Sequence, residues 1–555
     1  MSTNVSKQKR DNLIEKIKEI KNYIQFTAQD ENSYQLLSYL ADIEKDIKGK
    51  KYGLVFEEHK ENIDDLLIEN APVLTEDKDL FIDNGGKMNF LIEGDNLASL
   101  QLLEKTHKGK IDFIYIDPPY NTGKKDFKYD DSFVSDDDSF RHSKWLSFIE
   151  RRLRIAKAIL NECGIIFISI DDNEQATLKI LCDNIFGYQN FIDCFIWMKN
   201  PNPTYLNKYS RSCCEYVLCY AKDLSKLDGL DGGIVESTET DAPLQNKGNP
   251  KRTICVQSQS AIFKCEDQFV PAGNYGLVDL LDDVYIQNGK NKNDFRIVGT
   301  FRMTEETLRE RISLGDKLIF KTNRMAPRLS YNANTKHSAP LKLILDKYGT
   351  TQTGNNELKR LLDTEDFSYP KPSSLIKYLI TLYPNNKNAT ILDFFAGSGT
   401  TGHAVMKLNA EDGGKRNFIL CTNNENNICR EITYERIKRV IEKENFKESL
   451  KYYKVEYVPI TDKLYYEYAD ELLKNIRELV ELENGINFIG NAEIAIILTE
   501  EELDDFTSTL NESSICKSIY LGHDVLPDEQ QETLFKKYSI KINIIPDYYY
   551  RDLEG

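Results

Sequence analysis

The order of apolar and polar positions along the chain predicts two kinds of segment. Residues 1–70 carry apolar side chains at helical spacing, as at Leu13, Ile17 and Ile20. From Met88 onward, short apolar runs alternate with amphipathic segments, which is typical of a parallel sheet covered by helices. We therefore predict an α/β fold, with strands at 89–93, 111–116, 164–170, 216–220, 390–395 and 417–421.

Helices are predicted between these strands, and two regions interrupt the alternation. The predicted helices cover 97–105, 143–160, 372–382, 400–408 and 433–444. Between 222 and 366 the chain breaks into short segments rich in Asn, Thr and Gly, and after 450 strands return at 492–498, 518–521 and 540–545. The predicted units are a helical arm at 1–75, one α/β domain in two parts at 76–222 and 366–450, an insertion at 223–365, and an acidic C-terminal α/β domain at 451–555.

Composition excludes several classes of protein. Of the 555 residues, 40% are hydrophobic and 29% are charged, which is the balance of a folded chain rather than a disordered or fibrous one. No apolar run approaches the roughly 20 residues of a membrane span, and the first residues are polar and basic, so we expect a cytoplasmic protein with no membrane partner. The 11 cysteines show no C-x-x-C pair and no zinc-site spacing, so no metal is expected.

The net charge of −17 is distributed unevenly. Residues 451–555 contain 10 basic and 22 acidic residues, a net charge of −12, whereas 287–342 contain 12 basic and 5 acidic residues, a net charge of +7. A polyanion responds to the local charge rather than to the total. The basic stretch is either a solvated charged face or a nucleic-acid-binding surface, the latter formed by Lys290, Arg296, Arg302, Lys321, Arg324 and Arg328.

A rigid turn follows the predicted strand 111–116. Asp117-Pro118-Pro119-Tyr120 lies at the carboxyl end of that strand, where open α/β sheets bind ligands. Because the prolines fix the backbone, the turn presents a carboxylate, the Pro118 carbonyl and an aromatic ring at one place. Two acceptors on the hydrogens of an exocyclic amine would localise the nitrogen lone pair while Tyr120 stacks on the ring. The alternative is a turn that only ends the strand.

A glycine loop connects another predicted strand to the helix after it. Gly397, Gly399 and Gly402 have the G-x-G-x-x-G spacing of dinucleotide sites, so an oxidoreductase is one alternative. Two features argue against it: Asp393 precedes the glycines, where it would meet a cationic amino group, and a nicotinamide site has no use for the D-P-P-Y turn. Glu425, after the next strand, is suited to holding ribose hydroxyls.

Together, the D-P-P-Y and D-F-F-A-G-S-G-T-T-G motifs resemble those of the DNA amino-methyltransferases that use S-adenosylmethionine. Here D-P-P-Y comes first, as in their β class, whose Rossmann-like sheet is circularly permuted. The segments D-P-P-Y-N-T-G, Y-D-D-S-F and R-H-S-K-W-L further resemble the modification subunits of type III restriction systems. The resemblance covers 88–222 and 366–445 and leaves 223–365 unmatched, as expected of a target-recognition domain.

The resemblance implies a role for each motif residue. Asp117, Pro118, Pro119 and Tyr120 would be catalytic, holding the target amine and stacking on the base. Asp95 would meet the adenine of the cofactor, and Glu425 its ribose. The whole cofactor site would be formed by Asp95, Lys371, Pro372, Ser373, Asp393, Phe395, Gly397, Gly399, Thr400 and Glu425.

The predicted function is therefore site-specific methylation of adenine N6 in double-stranded DNA, with the target base flipped out of the duplex. Asp rather than Ser at the head of D-P-P-Y favours adenine N6 over cytosine N4 in this family. The resemblance also implies a homodimer and a separate restriction subunit as partner. The alternatives are an N4-cytosine enzyme, a solitary regulatory methyltransferase, and a DNA-binding specificity subunit with little methylation of its own, against which the intact motifs argue.

Overall fold

The computed structural model describes residues 5–26, 31–48, 56–123, 127–129, 132–203, 208–232, 241–330, 339–363, 367, 369–384, 386–460, 475–511, 514–522 and 524–545. The α-helices in these stretches are Val5–Phe26, Glu31–Lys48, Asn62–Glu69, Asn96–His107, Arg141–Ile159, Gln175–Phe186, Glu305–Ser313, Thr351–Leu362, Ser373–Thr381, Thr400–Asp412, Glu435–Glu444, Ile476–Asn484, Glu500–Thr509 and Glu529–Lys537, and a π-helix covers Ile428–Tyr434. None of the helices in these stretches has the length and apolar character needed to cross a membrane.

A ten-stranded sheet forms the centre of the fold. Its strands lie in the order Asn70–Glu76, Ser449–Pro459, Met88–Glu93, Asn417–Thr422, Thr390–Asp393, Ile111–Ile116, Leu160–Ile170, Cys214–Ala221, Phe191–Met198 and Leu343–Ile344. The strands from Ser449–Pro459 through Leu160–Ile170 are mutually parallel, and Cys214–Ala221 is antiparallel to both of its neighbours. Segments far apart in the chain therefore become neighbours in the middle of the sheet.

Each face of the sheet packs against its own hydrophobic core. In the strand Ile111–Ile116, Ile114 and Ile116 belong to one buried cluster, whereas Phe113 and Tyr115 belong to the other. Successive side chains of a strand point to opposite faces, so a run that is apolar throughout is buried on both sides. This explains why the six strands predicted for the central sheet appear as apolar runs in the sequence, and why the structure confirms them with ends that differ by a few residues.

The sequence missed both strands at one end of this sheet. Asn70–Glu76 pairs antiparallel with Ser449–Pro459, which pairs in parallel with Met88–Glu93. The predicted unit borders at 75 and at 450 fall inside these two strands. In Ser449–Pro459, Lys451 interrupts the apolar residues, so the sequence pattern does not indicate a buried strand. The fold can bury this ammonium group because it pairs with Glu481 and Glu76.

The region between the two halves of the central sheet contains short strands with a core of their own. One sheet of four strands consists of Arg252–Val256, Phe295–Gly299, Asp279–Leu280 and Gly273–Asn274. A second sheet of seven strands consists of Phe269–Val270, Val284–Gln287, Lys290–Asn291, Ala261–Phe263, Lys317–Phe320, Pro327–Ser330 and Asp241–Pro243. A separate buried cluster, including Phe263, Phe295 and Phe320, fills this region.

The end of the predicted insertion packs with the central sheet instead. Leu343–Ile344 is the last strand of that sheet, and Leu358 of the helix Thr351–Leu362 lies in one of its cores. We use "inserted region" for residues 241–330. The C-terminal strands Ile494–Ile497, Ser518–Leu521 and Lys541–Ile544 form a parallel sheet at the positions that the sequence predicts, and Lys128–Tyr129 pairs with Ser132–Phe133 in a small hairpin.

Candidate active site

The D-P-P-Y turn and the glycine loop lie at the same end of the central sheet. Each follows one of two neighbouring parallel strands, Ile111–Ile116 and Thr390–Asp393. Parallel strands present their carboxyl ends at one edge, which brings Asp117 and Asp393 into the same region although 275 positions separate them in the sequence.

The helix Arg141–Ile159 fixes the shape of the D-P-P-Y turn. The indole Nε1 of the fully buried Trp145 donates a 2.7 Å hydrogen bond to the Pro119 carbonyl. Asn121 has a left-handed backbone with φ of 56°, and its side-chain amide donates to Glu174 Oε1 at 2.6 Å. His142 Nδ1 also lies 2.6 Å from that oxygen. Trp145 of the R-H-S-K-W-L segment therefore fixes the turn directly, and Glu174 fixes it through Asn121.

The side chain of Lys371 contacts the D-P-P-Y turn. Its Nζ donates to both carboxylate oxygens of Asp117, at 2.9 and 2.8 Å, and to the Tyr120 hydroxyl at 2.8 Å. The Tyr120 hydroxyl lies 2.8 Å from Asp117 Oδ1 and 3.0 Å from Glu215 Oε2, and donates to one of them at a time. The resemblance implied a contact between Lys371 and the cofactor; the structure shows its contact with Asp117.

Glu215 is a member of this cluster that the sequence analysis missed. It is the second residue of the strand Cys214–Ala221, and its Oε1 accepts a 3.0 Å hydrogen bond from Lys199 while its Oε2 lies 3.4 Å from Lys371 Nζ. Burial opposes its ionisation, but these two ammonium groups outweigh burial and hold the pKa of Glu215 below its usual range. Burial and the charges of Asp117 and Glu215 raise the pKa of Tyr120, so its hydroxyl keeps its proton.

Asp393 is a buried carboxylate at the start of the glycine loop. It accepts hydrogen bonds from the Phe395 backbone N–H, at 3.0 Å, and from the Thr401 hydroxyl. Burial raises the pKa of Asp393 to about 7. Within the described part of the chain, no ammonium or guanidinium group forms an ion pair with it. Such a carboxylate is suited to a ligand that brings its own positive charge.

The glycine loop has the backbone that close approach to a ligand requires. Gly397 and Gly399 have φ angles of 48° and 73°, which side chains rarely adopt, and the helix Thr400–Asp412 begins directly after them. A Cβ on Gly397 would come within 3.1 Å of the Phe367 ring. Phe367 therefore lies against the loop, and it belongs to the segment that leads to the helix Ser373–Thr381.

A buried ionic network joins the same two segments, and the sequence analysis missed it as well. Arg436, fully buried, donates to Ser398 Oγ at 3.0 Å and to Thr400 Oγ1 at 2.7 Å, and its Nη2 lies 3.6 Å from Glu357. Glu357 accepts from the Ser373 backbone N–H and hydroxyl, at 2.9 and 2.7 Å. No motif joins Arg436 to Glu357, so only the fold reveals this link.

The remaining predicted cofactor residues lie around this edge. Asp95 caps the helix Asn96–His107 by accepting from the Leu97 backbone N–H at 2.7 Å, and Arg152 Nη2 lies 3.6 Å from its other oxygen. Phe395 packs on Phe148, and Pro372 immediately precedes the helix Ser373–Thr381. Glu425 lies in an exposed turn after the strand Asn417–Thr422.

The six basic residues predicted to bind nucleic acid differ in their surroundings. Arg296 forms two 2.8 Å hydrogen bonds with Asp282, while Lys321 and Arg328 both pair with Asp241 at 2.6 and 2.7 Å. These acids come from outside 287–342, so the charge counted for that stretch overstates the local positive charge. Three of the six are exposed and pair with no acidic side chain among the described residues: Lys290, Arg302 and Arg324.

Comparison with known proteins identifies relatives of this chain. The model of the protein family described as DNA methylase matches residues 111–438. The type III restriction-modification enzyme StyLTI Mod subunit of Salmonella typhimurium is 32% identical over 408 residues, covering 65% of this chain and 58% of that protein. The EcoPI Mod subunit of Escherichia phage P1 is 33% identical and covers 65% and 62%, and the type II methyltransferase M.KpnI of Klebsiella pneumoniae is 34% identical and covers 60% and 79%.

These matches confirm the resemblance drawn from the motifs, and the central sheet confirms the α/β fold class. S-adenosylmethionine is the methyl donor of the matched family, so the predicted cofactor is confirmed as well. The chain spans about three fifths of the length of the two type III relatives. The roles of individual residues, the division into domains, the dimer and the cytoplasmic location stay predictions.

Proposed function

Because the chain belongs to the DNA methylase family, we propose that it transfers a methyl group from S-adenosylmethionine to the exocyclic N6 of adenine in double-stranded DNA. The observation that carries the proposal is the position of the Asp117 turn next to the Asp393 loop, on neighbouring strands of one sheet. One turn offers acceptors and an aromatic ring for a base. The other offers a buried carboxylate and an open glycine backbone for the cofactor.

The residues around Asp393 fit the methionine end of S-adenosylmethionine. Its carboxylate, whose pKa burial raises to about 7, would pair with the α-ammonium group of the cofactor, and that positive charge would favour the ionised form of Asp393. The left-handed backbone at Gly397 and Gly399 leaves room for close approach. When bound, the cofactor supplies an electrophilic methyl group on a sulfonium ion.

The D-P-P-Y turn would hold the target base. Among the described residues no group donates to the Pro118 carbonyl, whereas the Pro119 carbonyl is taken by Trp145. Asp117 and the Pro118 carbonyl would accept the two amine hydrogens, which directs the nitrogen lone pair at the methyl carbon. As the nitrogen–methyl bond forms and the methyl–sulfur bond breaks, the nitrogen releases one proton along its hydrogen bond to Asp117.

Access to the amine requires that the adenine leave the duplex. Flipping a base out costs a few kcal/mol. Tyr120 is half-buried beside Asp117, and stacking of the base on its ring would return about 1–3 kcal/mol. A buried Tyr120 hydroxyl that keeps its proton also acts as a donor, which holds Asp117 Oδ1 in place.

We further propose that the chain is the modification and recognition subunit of a type III system. The two relatives named as type III Mod subunits support this, as do the segments shared with that subfamily. In that role it would act as a homodimer in the cytoplasm, with a separate restriction subunit as partner, and the inserted region with its own core would read the DNA sequence. The relative named as a type II methyltransferase supports a type II modification enzyme as the second candidate.

The test is mass spectrometry of nucleosides from unmethylated DNA incubated with the purified chain and S-adenosylmethionine. We expect N6-methyladenine, at a site that sequencing of the product then maps. N4-methylcytosine would keep the mechanism and correct the base. DNA that is bound but carries no methyl group would contradict the proposal and favour a specificity subunit.

A further inference from the structure

Lys371 occupies the place where the target amine is expected to bind. The ammonium group contacts both oxygens of Asp117, at 2.9 and 2.8 Å, and only 9% of its side chain is exposed. Burial opposes the charged form, but Asp117 and Glu215 outweigh it and raise the pKa of Lys371, so the group is an ammonium ion. An incoming amine must therefore compete with a cation for the same acceptor.

The structure also contains a second partner for that cation. Glu215 Oε2 lies 3.4 Å from Lys371 Nζ, so a shift of about 0.6 Å brings the two to ordinary hydrogen-bond distance. Glu215 is ionised, held on its far side by Lys199, and 11% exposed. The Tyr120 hydroxyl lies between the two acids and reaches either of them.

We propose that Lys371 and Glu215 are positioning residues for the methyl transfer, an inference that rests on the proposed function. Lys371 holds Asp117 in place while the site contains no base. When the target base enters, its amine takes over the Asp117 oxygens and the ammonium of Lys371 moves to Glu215. Glu215 thereby lowers the cost of uncovering Asp117, because the buried cation exchanges one carboxylate for another instead of losing its partner.

Two substitutions should change base entry in different directions. Glu215→Gln keeps the shape but removes the charge, so Lys371 stays on Asp117 and base entry becomes less favourable. Lys371→Met removes the competitor, so the base enters at least as readily although Asp117 is no longer held for the chemical step. If Lys371 only contacted the cofactor, neither substitution would change base entry in this way.

The experiment uses the full chain and a duplex that keeps the mapped target adenine and carries 2-aminopurine next to it, because the fluorescence of this analogue rises when its neighbour leaves the stack. For Glu215→Gln we expect at least a threefold smaller rise and a tenfold lower single-turnover rate on unmodified DNA. For Lys371→Met we expect an undiminished rise with a lower rate. S-adenosylmethionine affinity, measured by calorimetry, should stay within twofold for both.

Lys377→Met is the matched control, since it removes a lysine from the helix that follows Lys371. Its ammonium pairs with Glu411 at the surface, so fluorescence, rate and cofactor affinity should all stay unchanged. Wild-type fluorescence and rate in Glu215→Gln would overturn the inference, as would a tenfold loss of cofactor affinity in Lys371→Met. A wild-type chain that methylates no DNA would instead overturn the proposed function before the variants are compared.

Discussion

The charged groups at the carboxyl end of the central sheet and those of the inserted region are held in opposite ways. Around Asp117, the side chains of Lys371 and Glu215 are at most 11% exposed and each has a defined partner. In the inserted region, the side chains of Arg296 and Lys321 are 54% and 43% exposed, and their partners Asp282 and Asp241 are 34% and 4% exposed. Buried charges interact strongly with a few defined partners, whereas exposed pairs contribute at most about 1 kcal/mol.

This difference matches two kinds of chemistry. Methyl transfer needs groups held in defined positions, and a buried network in which Asp117 and Glu215 are the acidic partners of Lys371 provides them. Binding a DNA backbone needs cations that exchange partners, and exposed arginines and lysines can leave a surface acid for a phosphate. The comparison therefore predicts large, geometry-dependent effects at the sheet edge and small, salt-dependent effects in the inserted region.

The largest effect is expected for Asp117→Asn. The amide replaces one acceptor oxygen by an NH2 donor and removes the negative charge, so the single-turnover rate should fall roughly 10³-fold while DNA and cofactor affinity change little. Asp172→Asn is the control, because Asp172 follows another strand of the same sheet and its carboxylate accepts from Tyr216. If Asp117→Asn keeps the wild-type methylation rate, the prediction of large effects at this edge of the central sheet is wrong.

Trp145→Phe should have the next largest effect. It keeps most of the packing but leaves the buried Pro119 carbonyl without its 2.7 Å donor, which costs about 1–3 kcal/mol. We expect a tenfold or greater loss of methylation rate with unchanged DNA affinity. Trp197→Phe also removes an indole hydrogen bond, to the Gly349 carbonyl, but not one to the turn. Equal rate losses in the two variants would contradict a specific role for Trp145.

Glu478→Gln tests the effect of a buried charge in the C-terminal part of the chain, on the helix Ile476–Asn484. Burial raises the pKa of Glu478 to about 7, and the nearby Glu481 and Glu76 add to this effect more than Arg477 opposes it. Since the folded pKa exceeds the unfolded one, the carboxylate destabilises the fold increasingly as pH rises from about 4.5 to 7. The variant should gain about 1–2 kcal/mol in urea unfolding at pH 8 and nothing at pH 4.

The control for this experiment lies on the same helix. Glu483 forms an ion pair with Lys110, so Glu483→Gln should bring no gain in stability at either pH. A gain at pH 4 as large as at pH 8 in Glu478→Gln would show that the benefit comes from packing and not from the buried charge.

The smallest effects are expected for the inserted region. Arg324 is exposed and pairs with no acid among the described residues, whereas Lys321 already lies 2.6 Å from Asp241. If Arg324 contacts a phosphate, Arg324→Gln should reduce the slope of log affinity against log salt by about 0.9, and Lys321→Gln should reduce it less. Fluorescence anisotropy at several salt concentrations measures both. Equal slopes in the wild type and both variants would place the DNA-binding surface elsewhere.

The sequence predicted the parts of the molecule that depend on local pattern. Apolar runs marked the central strands because both faces of the sheet are buried, and prolines and glycines marked the two turns because their backbone is restricted or unusually free. The strand Ser449–Pro459 was missed because Lys451 interrupts its apolar run, and its partner Glu481 lies on a distant helix.

The sequence could not predict contacts between segments that only the fold brings together. Glu215 is the second residue of a strand with no motif around it, and Arg436 contacts Glu357 from another helix. The family resemblance implied a cofactor contact for Lys371, and it gave no sign that the side chain also contacts Asp117. The net charge of residues 287–342 also overstated the positive charge of that surface, because Asp241 and Asp282, which pair with its arginines, come from neighbouring strands and loops.

The central claim is that the two turns form one site, with the target amine at Asp117 and the cofactor at Asp393. A crystal structure of the chain with its mapped DNA and a non-reactive analogue of S-adenosylmethionine tests this most directly. The account predicts a flipped adenine stacked on Tyr120, with N6 within hydrogen-bond distance of Asp117 and the analogue's α-ammonium group on Asp393. A base or a cofactor bound away from these carboxylates would contradict it.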